Sequence, residues 1–112
     1  MGRLSYKTLK ELTYILLQLI PEGRVVTYKV LARTFNVSPK LVGKILSENE
    51  NPIVIPCHRV VRSDGGIGGY SGFGGVDFKK KLLEFEGVKF KGLKVLKEYI
   101  IDDLEYFIKL FS

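Results

Sequence analysis

The sequence predicts a mainly α-helical fold with small β elements, organised round a winged-helix-like helix-turn-helix. Three observations predict it. Two short helical patterns, about 28–35 and 39–47, are joined by a turn of three to four residues. Longer helical periodicities precede and follow this pair. The stretches that read as extended, "RVV", "PIVIP" and "VKF", are each only three to five residues long.

Residues 4–20, "LSYKTLKELTYILLQLI", place Leu9, Leu12, Leu16 and Leu19 at helical spacing. Ser5 is the expected N-cap, and "PEG" at 21–23 ends the run. After the extended "RVV", Thr27 caps the second helix. In "NVSPK", Ser38 is the N-cap and Pro39 the first helical residue of the third. Leu41, Val42, Ile45 and Leu46 form its expected buried stripe, while Lys40, Gly43, Lys44 and Ser47 share the opposite face. That face suits a phosphate backbone, although two lysines on a solvated face would look the same. "ENEN" at 48–51 reads as a loop and "PIVIP" at 52–56 as a short buried strand. Residues 64–75, "DGGIGGYSGFGG", hold seven glycines and match neither the dinucleotide fingerprint nor the P-loop. They are either a slack connector or a loop whose backbone approaches a ligand, with Tyr70 as a stacking platform. A helix over 77–86 is expected to start on Asp77 and stop at Gly87. The tail is expected to end in an amphipathic helix, with Leu96, Ile100, Leu104, Phe107, Ile108 and Phe111 on one side.

A chain of 112 residues with 46% apolar content suits one globular domain. The reading is a single domain over 1–112, with a core at 9–87 and a C-terminal extension at 88–112. The apolar runs are far shorter than a membrane span, and no signal sequence opens the chain. It is therefore expected in the cytoplasm, on the nucleoid if the source is prokaryotic, with no membrane partner. The net charge of +6 favours a polyanionic partner, without proving one.

The chemistry concentrates in "VIPCHRVV" at 54–61, where the single cysteine, Cys57, adjoins the single histidine, His58. One cysteine excludes an internal disulfide, and with one histidine it leaves too few soft ligands for a structural zinc site. No metal and no cofactor are expected. A papain-like arrangement needs a distant histidine, a tyrosine phosphatase needs arginine where Ser63 stands, and a C-x-x-C motif is missing. A thiol activated by its neighbours remains.

"IPCHRVV" resembles the active-site signature of the O6-alkylguanine-DNA alkyltransferases. "IPEGRVVTYKVLA" at 20–32 and "SPKLVGKIL" at 38–46 resemble that family's helix-turn-helix, "GGYSG" at 68–72 its pocket loop and "KKLLEFEG" at 80–87 the helix that follows. The likeness covers roughly 9–87 and implies the alkyltransferase C-terminal domain.

The resemblance implies DNA repair by direct reversal. Cys57 would take the alkyl group from guanine O6 in duplex DNA and keep it, a single turnover. His58 would deprotonate the thiol through a water, oriented by Glu86, with Glu84 as the competing carboxylate. The target base must be flipped out of the stack. The recognition helix would enter the minor groove, Gly43 allowing close seating, with Lys44 and Ser47 on the same face. Lys40 stands where the family has an arginine that fills the gap, and it lacks the planar guanidinium. Tyr28 would support the flipped nucleotide, and Asn49 would tie the recognition helix to the active-site turn, although Glu50 replaces the usual proline after it. Tyr70 and Ser71 would cover the base and donate at O6, and Val60 would read the exocyclic amine through its carbonyl. Arg59 reads as an internal, structural partner. The loop after Tyr70 is two residues longer than the family pattern, and Phe73 bears on pocket size. Family members usually carry a further N-terminal domain, so the tail helix (about 97–111) is expected to cover the face left exposed. The implied partner is double-stranded DNA containing O6-alkylguanine, bound by a monomer or beside a separate partner protein. Two alternatives stand: a non-catalytic alkylguanine sensor, whose known examples replace the cysteine, and a winged-helix transcription regulator.

Overall fold

Hydroxyl caps start the first three helices where the sequence places them. Ser5, Thr27 and Ser38 each accept from the backbone N–H three residues on, opening α1 (Tyr6–Gln18), α2 (Tyr28–Phe35) and α3 (Pro39–Ser47). The computed structural model describes residues 4–70, 72–103 and 109. Between α1 and α2 runs β1 (Val25–Thr27). After α3 come a 3₁₀ turn at Cys57–Arg59, β2 (Val60–Val61), α4 (Gly75–Phe85), β3 (Phe90–Lys91), β4 (Lys94–Val95), a second 3₁₀ turn at Lys97–Tyr99 and β5 (Ile100–Ile101). The helix-turn-helix is α2 and α3. Asn36 ends α2 in the left-handed region at φ 55°, which its short polar side chain tolerates.

Three strands form a parallel sheet in the order β2-β1-β5, with Val26 opposite both Val60 and Ile101. β3 and β4 make a separate antiparallel hairpin. The main core joins Leu16, Leu17 and Ile20 of the α1 segment to Val26, Leu31, Val42, Leu46, Val60 and Ile101. Cys57 packs in this same cluster, so the thiol sits on the core and not on a mobile surface loop. Tyr14 adds a polar tie between helices, its hydroxyl donating to Ile45 O at 2.7 Å. No helix among the described residues is long and apolar enough to cross a membrane.

Four local expectations need correction. Residues 52–56 are a turn and not a buried strand: Ile55 N–H returns to Asn51 O, Ile53 and Val54 are exposed, and Ile53 takes φ 76°. The buried face of α1 is Leu9, Thr13, Leu16 and Leu17, while Leu12 and Leu19 face outward with Ile15. Gly74, at φ 81°, caps α4; Asp77 lies in its first turn. Residues 97–101 form the 3₁₀ turn and β5 instead of an amphipathic helix, because Ile101 pairs with Val26 and is buried in the core. The remainder of the expected tail helix, 104–108 and 110–111, lies outside the described residues, as does Ser71.

Candidate active site

Pro56 determines how Cys57 is presented. With φ −79° and ψ 66° it is the centre of an inverse γ-turn, closed by Cys57 N–H donating to Ile55 O at 2.7 Å. The 3₁₀ turn then presents Cys57 to a cavity and sends His58 and Arg59 to one carboxylate, that of Glu86. Asn49 steadies the approach. Its Nδ2 donates to Ile55 O at 2.9 Å and its Oδ1 accepts from Asn51 N–H at 2.9 Å, which ties the end of α3 to the thiol turn.

Glu86 follows α4 and turns its carboxylate back onto that turn. His58 Nε2 lies 3.0 Å from Glu86 Oε2. Arg59 donates through Nε to Oε1 at 3.0 Å and through its terminal nitrogen to Oε2 at 2.7 Å, and it also reaches Ile20 O at 2.7 Å. Glu84 is exposed, so of the two candidates Glu86 is the one that contacts His58. Burial alone would raise the Glu86 carboxyl, but the Arg59 and His58 hydrogen bonds outweigh it and hold it below the ordinary carboxylate value. Burial lowers His58 below its usual 6.5, with the Glu86 bond pulling partly back. His58 is thus neutral at pH 7.

The tautomer follows from the partners. An ionised carboxylate only accepts, so Nε2 carries the proton and Nδ1 the lone pair. Nδ1 is buried, and no group among the described residues hydrogen-bonds it. This is the arrangement of a base held ready by its second nitrogen.

The thiol opens on a cavity of about 320 Å³ lined by Tyr28, Gly43, Leu46, Ser47, Cys57, Gly69 and Tyr70. Burial raises both tyrosines and keeps them protonated donors. A second cleft of about 520 Å³ shares Tyr28 and Gly43 and adds Lys29, Pro39, Lys40, Arg62 and Ser63. A further groove runs along α3 past Lys40 and Lys44. The exposed face of α3 is therefore basic and continuous with the mouth of the thiol cavity.

The sequence profile of the DNA-binding domain of 6-O-methylguanine DNA methyltransferase matches residues 8–88. The chain belongs to this family. The match coincides with the span of roughly 9–87 over which the sequence resembles alkyltransferases. A methylated-DNA–protein-cysteine methyltransferase of Pyrobaculum aerophilum is 44% identical over 97 residues, which is 85% of this chain and 63% of the relative. The crystal structure of O6-methylguanine-DNA methyltransferase from Pyrococcus kodakaraensis strain KOD1 is 47% identical with a TM-score of 0.63, over 70% of this chain and 46% of that one. S. pombe Atl1 in complex with damaged DNA containing O6-carboxymethylguanine gives a TM-score of 0.74 at 27% identity, over 89% of this chain and all of that one. The chain thus spans less than two thirds of the length of the curated relative.

Of the family positions read from the sequence, Cys57, Tyr28, Gly43, Ser47 and Tyr70 line one cavity, and His58, Arg59 and Glu86 form one network beneath it. Lys40 lines the adjoining clefts and not the cavity itself. Val60 is fully buried and presents its carbonyl to a group that sequence reasoning missed, the ammonium of Lys79. The signal was there: Lys79 stands one turn before Leu83 on the apolar side of its helix, but it opens a run of three lysines that reads as solvated.

Proposed function

We propose that this chain repairs alkylated DNA by transferring an alkyl group from guanine O6 in a duplex to its own Cys57, once per molecule. The observation that carries this reading is the polarised network under the thiol cavity, in which Glu86 accepts a hydrogen bond from His58 Nε2–H and leaves Nδ1, on the residue next to Cys57, as a buried base. In the reaction, His58 Nδ1 accepts the thiol proton through a water. The thiolate attacks the alkyl carbon, the S–C bond forms and the C–O6 bond breaks. The electron pair stays on the guanine, which takes up a proton at N1 and leaves neutral. Tyr28 and Tyr70 flank the base, and the family resemblance gives Tyr70 and Ser71 the hydrogen bonds to O6 that ease its departure. Asn49 holds the thiol turn against α3. The family resemblance also gives the Val60 carbonyl to the exocyclic amine, through the lone pair that its hydrogen bond from Lys79 leaves free.

Residues 9–87 carry this chemistry, and residues 88–112 extend the domain and supply the third strand. The basic strip of Lys40, Lys44, Ser47 and Gly43 is the proposed duplex surface, from which the flipped base enters the cavity. The acting unit is the monomer, with a separate partner protein as the other arrangement to be tested by sedimentation with and without DNA.

Incubation with a duplex carrying one O6-methylguanine, followed by intact-protein and peptide mass spectrometry, tests the proposal. One added methylene unit, confined to the Cys57 peptide and missing from Cys57→Ala, supports it. Tight, lesion-selective binding with no mass gain would replace it with the sensor reading, which the retained cysteine argues against.

A further inference from the structure

Lys79 is fully buried, and the reaction as described gives it no task. Burying an ammonium is costly unless hydrogen bonds compensate it, and an apolar side chain would fill the same place in α4 more cheaply. What the charge does is visible in its contacts. Nζ donates to Val60 O at 2.8 Å and to Gly69 O at 3.1 Å. One carbonyl belongs to a residue that lines the thiol cavity, the other to the residue that ends the turn carrying Cys57. Val60 closes the 3₁₀ turn that carries Cys57, its N–H donating to Cys57 O. Gly69 and Tyr70 form part of the cavity wall, which they share with Cys57.

Among the described residues, few backbone hydrogen bonds hold that wall. Before it, Ile67 N–H bonds to Leu93 O; after it, Gly75 N–H bonds to Gly72 O. Among the described residues, Gly69 O to Lys79 is the hydrogen bond that ties Gly68–Tyr70 to the rest of the chain. Gly68 takes φ 73°, and a Cβ there would stand 3.5 Å from the Tyr28 ring and 3.6 Å from Lys79 Nζ. The loop therefore passes close between the ammonium and a second cavity wall. Tyr70 packs on the main core and obliquely on Phe78, beside Lys79 on α4.

We propose that Lys79 is a positioning residue whose ammonium straps the Gly69–Tyr70 wall to the Val60 carbonyl behind Cys57, setting the cavity width for a planar base. The proposal rests on the alkyl-transfer reading for its substrate, but not for its geometry. Burial lowers the ammonium to about 8, so it is still largely protonated at pH 7 and keeps its donors on the two carbonyls. The glycine-rich loop is then the slack segment its composition suggests, made into a wall by one side chain.

The test compares wild type with Lys79→Met, which keeps the stem and removes the charge and donors. Three rates are measured: amide exchange of the segment around Gly69 and Tyr70, alkyl transfer from an O6-methylguanine duplex, and alkylation of Cys57 by iodoacetamide, which needs no pocket. The expected result is faster exchange at Gly69 and Tyr70 with α3 unchanged, transfer slowed by on the order of 10- to 100-fold, and iodoacetamide reacting at the wild-type rate. Unchanged exchange overturns the strap. Faster exchange with normal transfer overturns its part in the reaction. A parallel loss of transfer and iodoacetamide reactivity means that Lys79 acts on the thiol instead of the wall, and also overturns the proposal. If wild type itself transfers nothing, the alkyl-transfer reading falls and exchange alone decides the strap. Should Lys79→Met not fold, Lys79→Leu, which is also without a donor or a charge, goes through the same three measurements.

Discussion

Gly43 offers a clean separation of folding from function. It lies in the middle of α3, where glycine is a poor helix former, and a Cβ built there meets nothing within 4 Å. Gly43→Ala should therefore stabilise the fold by about 0.8–1.0 kcal/mol from helix propensity alone. For a domain near this size that is a rise in melting temperature of about 4 °C. The chain's own packing gives no reason for glycine, so the reason lies outside it: Gly43 lines the thiol cavity and both flanking clefts. Gly43→Leu would hold the helix away from a docked duplex. Moving a lysine–phosphate pair from about 4 to about 8 Å in water halves an attraction of about 1 kcal/mol. For Lys40 and Lys44 together the loss is about 1 kcal/mol, roughly 5-fold in Kd. Alkyl transfer should fall further, by ~100-fold, because the flipped base no longer reaches Cys57. Calorimetry gives the first number, fluorescence anisotropy with a labelled duplex the second, and single-turnover transfer the third. Normal binding and transfer by Gly43→Leu would refute the docking face, and a loss of stability in Gly43→Ala would refute the packing argument.

Three further outcomes follow from the same geometry. Glu86→Gln leaves the guanidinium of Arg59 without its carboxylate and should cost about 3 kcal/mol in urea unfolding; it should also slow transfer by ~100-fold as His58 loses its orienting partner, and a variant of normal stability would contradict the network. His58 and Glu86 are both held below their ordinary values in the folded chain, so the unfolded chain binds more protons in acid. Their contribution to stability is complete above the ordinary histidine value of 6.5 and is lost progressively as pH falls below it, so melting temperatures flat from pH 7 to pH 4 would contradict this. Lys40→Arg adds a flat guanidinium beside the cavity mouth and should tighten duplex binding by roughly 0.5–1 kcal/mol, about 2- to 5-fold, in the anisotropy assay; weaker binding would contradict it.

The sequence made the helix-turn-helix legible because its signals are local. Ser5, Thr27 and Ser38 each announce a cap whose hydrogen bond closes within three residues. The thiol site was legible for a different reason: Cys57, His58 and Arg59 are contiguous, and Glu86 is one of two acidic residues near the end of one helix. What local pattern could not give was pairing over long separations. Residues 96–101 look helical by spacing, yet Ile100 and Ile101 complete a parallel sheet with Val25 and Val26, a tertiary preference that overrides the local one. Residues 52–56 look like a strand because they are apolar and β-branched, but Asn49 and Asn51 fold them into a turn. Lys79 was hidden by its neighbours Lys80 and Lys81, since a run of like charge reads as solvated until the helix face is known.

The most direct test of the account is the stoichiometry of transfer. The protein is titrated with an excess of duplex bearing isotopically labelled O6-methylguanine, and label bound to protein is counted after denaturation. The account predicts a plateau at one methyl per chain, all of it on Cys57, with unmodified guanine left in the DNA. Continued turnover beyond one equivalent, or a lesion that is bound and left unchanged, would contradict it.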